Sequence, residues 1–130
     1  MQLNLLVLRC ENIETSKAFY EKLGLKFIKE KHGQGVEHYS CYVGEMVLEL
    51  YPLKNGFKME QSRLGFSVEP SLLETMRDEM VSSYAFNGQS VLVVEDPDGR
   101  KVELHGRLLN DVRHQTPHIS SIINASVVCA

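Results

Sequence analysis

Asp96-Pro97-Asp98-Gly99 and the following Arg100-Lys101-Val102-Glu103-Leu104 combine the strongest turn signal of this sequence with a strand pattern. Proline fixes φ, aspartate hydrogen-bonds to its own backbone and glycine accepts a positive φ, so the first four residues predict a tight turn. Apolar and charged residues alternate after it, which predicts a closing strand over 101–105. The valine-rich residues 90–95 predict a strand just before the turn.

The residues upstream of this stretch contain the same kinds of element twice. The first half predicts a strand over 3–9, a helix that Asn12 caps and Gly24 ends, and strands over 25–31, 36–43 and 46–51. The second half predicts a strand over 63–69, a helix that begins at Pro70 with a stripe of Leu73, Met76 and Met80, a weak strand over 84–86, and the two strands around the turn.

A repeat of roughly 50–60 residues predicts two βαβββ modules. We place the modules at 1–53 and 62–106, within a single α+β domain over 1–130, with 107–130 as a C-terminal extension. Residues 52–62, rich in Pro, Asn, Gly and Lys, predict the linker between the modules.

Alternation along the strands assigns the side chains to two faces. One face is apolar and is expected to pack against the helices; it carries Leu6, Leu8, Leu48, Leu50, Leu64, Phe66, Val68, Val102 and Leu104. The opposite face mixes charged and apolar residues and includes Glu49, Tyr51, Arg63, Glu103 and His105. Such a face is either open to water or lines a polar pocket.

Bulk composition restricts the function classes. A net charge of −3 gives no electrostatic case for nucleic acid or an anionic membrane as a partner. No apolar run approaches the roughly 20 residues of a membrane span, and no signal-peptide layout precedes the first strand. The three cysteines, Cys10, Cys41 and Cys129, lack CxxC spacing. This pattern predicts reduced and mostly buried thiols. We therefore expect a cytoplasmic protein.

Five segments resemble vicinal-oxygen-chelate proteins, a group that contains glyoxalase I, extradiol dioxygenases and bleomycin-resistance proteins. The segments are Leu3–Cys10, Glu14–Tyr20, Leu23-Gly24-Leu25, Leu64–Val68 and, most specifically, 96–104. The resemblance covers residues 3–105. It implies a cup-shaped mixed sheet with the helices on its outer face.

The resemblance also implies where a metal would bind. Metal enzymes of this group place one ligand on the first and one on the last strand of each half, and these positions correspond to Leu5, Glu49, Arg63 and Glu103. Leu5 has no donor atom and Arg63 is a permanent cation, so only Glu49 and Glu103 remain as weak candidate ligands. We therefore expect no metal cofactor. A sharper hypothesis is that Arg63 bridges both carboxylates in place of the ion.

Other polar residues have two interpretations each. His38 shares a strand face with Ser40 and Tyr42, so it either lines the cup or is an ordinary surface histidine. Tyr42 and Tyr51 either form walls of the cup or pack in the core. His105 is expected at the rim. His114 and His118 are four residues apart, but Pro117 between them disrupts a helical metal pair.

The leading hypothesis is a metal-independent small-molecule-binding protein, similar to the drug-sequestering members of the group. Its ligand-binding residues would be Glu49, Arg63, Glu103, Tyr42, Tyr51 and His38, and no catalytic residue is assigned. One alternative is a metal-dependent lyase, isomerase or dioxygenase that uses Glu49 and Glu103. A second alternative is a dimeric interaction module. Apolar residues of the tail would pack on the domain or on a second subunit, and we favour a homodimer.

Overall fold

The computed structural model describes residues 1–107 and contains two four-stranded sheets. The first half consists of β1 (Leu5–Cys10), α1 (Ile13–Lys22), β2 (Ile28–Glu30), β3 (His38–Val43) and β4 (Met46–Pro52). The second half consists of β5 (Leu64–Val68), α2 (Pro70–Met76), a 3-10 turn (Arg77–Glu79), β6 (Ser82–Phe86), β7 (Gln89–Glu95) and β8 (Lys101–Gly106). The predicted α+β fold of two βαβββ modules is confirmed.

The two sheets have the same topology. Their strand orders are β1-β4-β3-β2 and β5-β8-β7-β6, with one parallel pair in each sheet. Val7 lies opposite Glu49 in the first parallel pair, and Gly65 lies opposite Glu103 in the second. Glu49 and Glu103 therefore occupy matching positions in the two halves, as the sequence repeat predicts.

Local sequence signals explain both ends of α1. The Asn12 side chain accepts hydrogen bonds from the backbone N–H groups of Glu14 at 2.9 Å and Thr15 at 3.2 Å. Gly24 follows the helix with φ +103°, a conformation that a residue without Cβ adopts readily. The predicted cap and stop are therefore both found.

The end of the second helix differs from the prediction. The α-helix stops at Met76, whose side chain is buried, and a 3-10 turn with three residues per turn follows it. Met80 then has an extended backbone and is 39% exposed. The prediction that Met80 belongs to the core stripe is wrong, because the tighter turn takes this residue off the helical face.

The predicted weak strand is present as β6 and is longer than expected. Asn87 and Gly88, with φ values of +50° and +76°, form the two-residue connection to β7. An Asn-Gly pair favours this kind of hairpin, because both of its central residues require positive φ. The hairpin places Tyr84 opposite Val91 at the outer edge of the second sheet.

One hydrophobic core serves both halves of the chain. Most of the predicted apolar face is buried in it: Leu8, Leu48, Leu50, Val68, Val102 and Leu104, with Leu6, Leu64 and Phe66 packed against them. Tyr20 of α1 contacts Phe66 of β5 edge-on, with ring centroids 6.4 Å apart. The first helix therefore packs on a residue of the second sheet, and this contact joins the two halves in one core.

A buried arginine connects the halves through polar contacts. The side chain of Arg100 is fully buried, and its guanidinium lies 3.0 Å from Asp96, 3.3 Å from Asp98 and 2.8 Å from Glu60 of the linker. It also donates a hydrogen bond to the backbone carbonyl of Arg9 at the end of β1. The turn from which Arg100 projects is therefore a junction between β1, the linker and the second sheet.

Tyr20 extends this polar junction to the first helix. Its hydroxyl donates a 2.7 Å hydrogen bond to the Asp96 carboxylate. Burial, with the neighbouring Asp96 carboxylate, raises the pKa of the Tyr20 hydroxyl, so this group remains a donor at any physiological pH. Asp96 in turn accepts hydrogen bonds from the backbone N–H groups of Asp98 and Arg100, both at 2.9 Å, as the predicted turn chemistry requires.

Further predictions concern cysteines and membrane spans. Cys10 and Cys41 are buried thiols, and burial raises the pKa of each to about 11. No helix within residues 1–107 is long and apolar enough to cross a membrane. Cys129, His114, His118 and the predicted packing of the apolar tail lie outside the described residues.

We expect Arg100→Met to lower the free energy of unfolding by about 3–5 kcal/mol, because it leaves buried carboxylates without their cation. Urea denaturation followed by circular dichroism measures this change. Arg77→Met is the matched control, since Arg77 forms an exposed pair with Glu74 and its loss is expected to leave the free energy of unfolding almost unchanged. Equal effects of the two substitutions would contradict the structural role of Arg100.

Candidate functional site

The inner face of the first sheet is built around His38. This residue on β3 is 1% exposed, and its Nδ1 lies 3.1 Å from the carbonyl oxygen of Val36. A carbonyl only accepts hydrogen bonds, so Nδ1 carries the hydrogen. Nε2 lies 3.3 Å from the Glu49 carboxylate and 3.4 Å from the Tyr51 hydroxyl. His38, Glu49 and Tyr51 thus form one polar cluster.

Aromatic stacking holds the His38 ring in place. Its ring is nearly parallel to that of Tyr51, at 9°, with centroids 4.1 Å apart. The His32 ring lies nearby and is tilted by 37°, at a centroid distance of 5.2 Å. The alternative that His38 is an ordinary surface histidine is wrong, since the residue is buried.

Two depressions lie beside this cluster. One, of about 490 Å³, is lined by Ile28, Lys29, Glu30, Ser40, Cys41, Tyr42, Val47 and Glu49. The other, of about 270 Å³, is lined by Arg9, His32, Gly35, Val36, His38, Tyr51 and Lys54. Tyr42 stands at the first depression with 76% of its surface exposed, so its alternative as a core residue is wrong. Tyr51 is half-buried between His38 and the guanidinium of Arg9, which lies 5.0 Å from its ring centroid.

The inner face of the second sheet is built around Glu103. Its carboxylate accepts hydrogen bonds from the Arg63 guanidinium and from the Tyr84 hydroxyl, and it lies 3.2 Å from Nε2 of His105. The hydrogen bond from Tyr84, with smaller contributions from Arg63 and His105, lowers the pKa of Glu103 below its ordinary value. Glu103 is therefore the ionised centre of a four-residue cluster.

The predicted site residues thus fall into two groups. His38, Glu49 and Tyr51 belong to the first half, and Arg63 and Glu103 belong to the second. Within residues 1–107, Arg63 forms an ion pair with Glu103 and none with Glu49, which pairs with His38. The hypothesis that Arg63 bridges both carboxylates is therefore wrong, because Arg63 pairs with Glu103 while Glu49 lies beside a histidine of its own sheet.

Four residues of these clusters escaped the sequence interpretation. Arg9 lies on β1, where alternation alone does not mark it as a site residue, and Tyr84 lies on the strand that the sequence pattern predicts only weakly. Glu30 lies opposite His38 in the pairing of β2 with β3. Alternation along β2 alone does not reveal this neighbour, because the strand has only three residues and its register follows from the fold. His32 lies outside any regular element.

Comparison with protein families agrees with this architecture. The profile of the glyoxalase/bleomycin resistance protein/dioxygenase superfamily matches residues 2–104. The chain belongs to this superfamily. No curated protein matches the sequence.

Solved structures share the superfamily fold at low sequence identity. Oxidase ChaP-H2 superposes with a TM-score of 0.64 at 14% identity, over 83% of this chain and 94% of its own. Lactoylglutathione lyase from Agrobacterium tumefaciens has a TM-score of 0.58 at 16% identity, over 79% and 91%. An integron cassette protein from V. cholerae has a TM-score of 0.58 at 22% identity, over 80% and 93%. At these identities the similarity shows the fold alone.

We expect Tyr84→Phe to raise the pKa of Glu103 towards its ordinary value. The substitution removes a hydrogen bond to the charged form of the carboxylate, so the neutral form becomes relatively more stable. Titration of the carboxyl carbons by NMR measures the change. Tyr42→Phe serves as the control, because Tyr42 is also an exposed tyrosine and lies on the other sheet, away from Glu103. An unchanged Glu103 titration in Tyr84→Phe would show that this hydroxyl does not stabilise the ionised carboxylate.

Proposed function

We propose that this chain binds a small organic molecule on the inner faces of its sheets, without a metal at the position used by metal enzymes of the superfamily. The observation that carries the proposal is the ion pair between Arg63 and Glu103. Arg63 stands at one of the four corresponding metal-ligand positions, and its cation already neutralises the carboxylate at a second one.

The remaining corresponding positions support the same conclusion. Leu5 offers no donor atom and is 50% exposed on the inner face. Glu49 faces His38 in its own half of the chain. A divalent ion at Glu103 would have to displace a guanidinium and tolerate it nearby, which like-charge repulsion opposes. The donor set at these four positions therefore does not fit a resident metal.

The surfaces around the two clusters suit a small ligand. A binding site needs a concave, mostly apolar surface with a few polar groups that fix orientation. The two depressions provide the aromatic rings of Tyr42 and Tyr51 as walls, with Glu49 between them on β4. Arg63 and Glu103 supply polar anchors of both signs on the second sheet. A ligand with hydrogen-bonding groups beside an unsaturated or aromatic part fits this surface.

Two other functions make different demands on the same residues. A metal-dependent lyase, isomerase or dioxygenase would use Glu49 and Glu103 as ligands, together with donors outside the four corresponding positions. A dimeric interaction module would use the open sheet faces for subunit contacts alone. The homodimer and the cytoplasmic location stay predictions of the sequence.

A thermal-shift screen of metabolites and antibiotics, on full-length protein in the presence of a chelator, tests the proposal. A ligand at a hundred times its Kd is expected to add about 2.7 kcal/mol to stability and to raise Tm. For a ligand found in this way, Arg63→Met or Glu49→Gln is expected to weaken binding at least about tenfold, or about 1.4 kcal/mol. Arg77→Met, on the outer side of the second module, should leave the affinity unchanged.

Two results would contradict the proposal. A stoichiometric metal ion whose binding is lost in Glu103→Gln would favour the metal-dependent enzyme. The absence of any stabilising compound in a broad library would favour the interaction module.

A further inference from the structure

Glu30, His32 and His38 bring three potential metal ligands together at the outer edge of the first sheet. One donor atom from each residue lies within 4.8 Å of the others. Nε2 of His32 is 3.5 Å from the Glu30 carboxylate. We propose that these three residues bind a divalent transition-metal ion such as Zn²⁺, at a site separate from the positions that correspond to the superfamily's metal ligands.

The distances are close to those that such an ion requires. Zinc binds histidine nitrogen and carboxylate oxygen at roughly 2.0–2.2 Å, so tetrahedral ligands lie roughly 3.3–3.5 Å from one another. The separation between His32 and Glu30 already has this value. The His32 side chain is 70% exposed, so it has the freedom to move the remaining distance.

His38 has the orientation of a ligand. Metal-binding histidines commonly donate their other ring N–H to a carbonyl or a carboxylate, which fixes the tautomer and the ring direction. Nδ1 of His38 does this with the Val36 carbonyl, so Nε2 is the ring nitrogen that is left to bind a metal ion. Stacking on Tyr51 restricts the ring further. The least exposed of the three ligands is therefore preorganised.

The charge around the cluster favours a cation. His38 Nε2 lies 3.3 Å from the Glu49 carboxylate, so a metal ion bound at this nitrogen is also close to a second negative charge. Within residues 1–107, the ion-pair partners of Glu30 and Glu49 are histidines alone. Glu103 differs, because Arg63 already supplies its positive charge. Arg9, Lys29 and Lys54 line the depressions beside the cluster, but none of them forms an ion pair with Glu30 or Glu49 in this part of the chain.

The ligand types indicate which ions would bind. Two imidazoles and one carboxylate suit Zn²⁺, Co²⁺ or Ni²⁺ better than Mg²⁺ or Ca²⁺, which prefer oxygen ligands. Three protein ligands leave a coordination position for water or a small ligand. His32 and His38 also line the depression of about 270 Å³, so that position would face its interior.

The proposed metal site uses none of the four superfamily positions as a ligand, although the Glu49 carboxylate lies 3.3 Å from Nε2 of His38. Glu30 lies on β2, His32 follows it, and His38 lies on β3, whereas the corresponding superfamily positions belong to β1, β4, β8 and the residue before β5. A metal at the histidine cluster would leave the pair of Arg63 with Glu103 intact.

Isothermal titration calorimetry of Zn²⁺ into chelator-treated, full-length protein tests the site. We expect one ion per chain. His32→Ala and Glu30→Gln should each lower the affinity for Zn²⁺ by about tenfold to a hundredfold or more, because loss of even a residue that only contacts a ligand has an effect of this size. Both side chains are substantially exposed, so neither substitution should unfold the protein. Co²⁺ substitution adds an absorption spectrum that His32→Ala should change.

Matched controls separate this site from others. His105→Ala removes the corresponding pair of the second half, where His105 lies 3.2 Å from Glu103, and should leave Zn²⁺ affinity unchanged. Glu103→Gln and the double substitution His114→Ala/His118→Ala should also have no effect. The inference is overturned if no ion binds, if His32→Ala and Glu30→Gln bind as well as the unmodified chain, or if affinity is lost only in the tail variant. Binding that depends on Glu103 instead would contradict this site and the proposed function together.

Discussion

The buried guanidinium of Arg100 is the contact on which the relative placement of the two halves depends. Removing such a charge from water costs several kcal/mol, and this cost is offset only when good partners surround it. Carboxylates from the turn and the linker, together with the last backbone carbonyl but one of β1, supply those partners. Since Tyr20 donates to the same Asp96 carboxylate, the first helix is bound into this junction as well. These polar contacts fix how the two sheets lie relative to each other, and the apolar core packs within that arrangement.

The two βαβββ modules share one backbone topology, but their inner sheet faces carry different side chains. Glu49 and Glu103 occupy matching positions in their sheets, yet one lies beside a histidine and the other beside a permanent cation. A histidine can bind a proton or a metal ion, whereas a guanidinium stays charged at every physiological pH. The difference in neighbours, and not in position, therefore gives each carboxylate its chemistry.

Sequence patterns predicted the elements well where a local rule governs them. Alternation placed Leu8, Leu50 and Leu104 on the buried face, because a strand turns successive side chains to opposite sides. The Asn87-Gly88 pair favours a hairpin turn and so supports the strand before it, β6, which side-chain alternation indicates only weakly. The burial of Arg100 was beyond such rules, since arginine is almost always exposed unless it is paired, and its partner Glu60 is 40 residues away. The neighbours of His38 likewise follow from the pairing of three strands.

The same reasoning explains why superfamily membership leaves the chemistry of this chain open. Members of a superfamily share a backbone fold, but their function depends on which side chains occupy the site positions. In this chain, two of the four positions that correspond to superfamily metal ligands hold Leu5 and Arg63, which are not metal ligands. The carboxylates of Glu49 and Glu103 therefore have no further donors at these positions with which to bind an ion. Arg63 pairs with Glu103, whereas within residues 1–107 Glu30 and Glu49 pair with histidines alone. A guanidinium competes with a metal ion for its carboxylate, and a histidine is itself a metal ligand. The side chains that fill the sheets therefore favour a bound cation at the edge of the first sheet over the four positions that the superfamily's metal enzymes use.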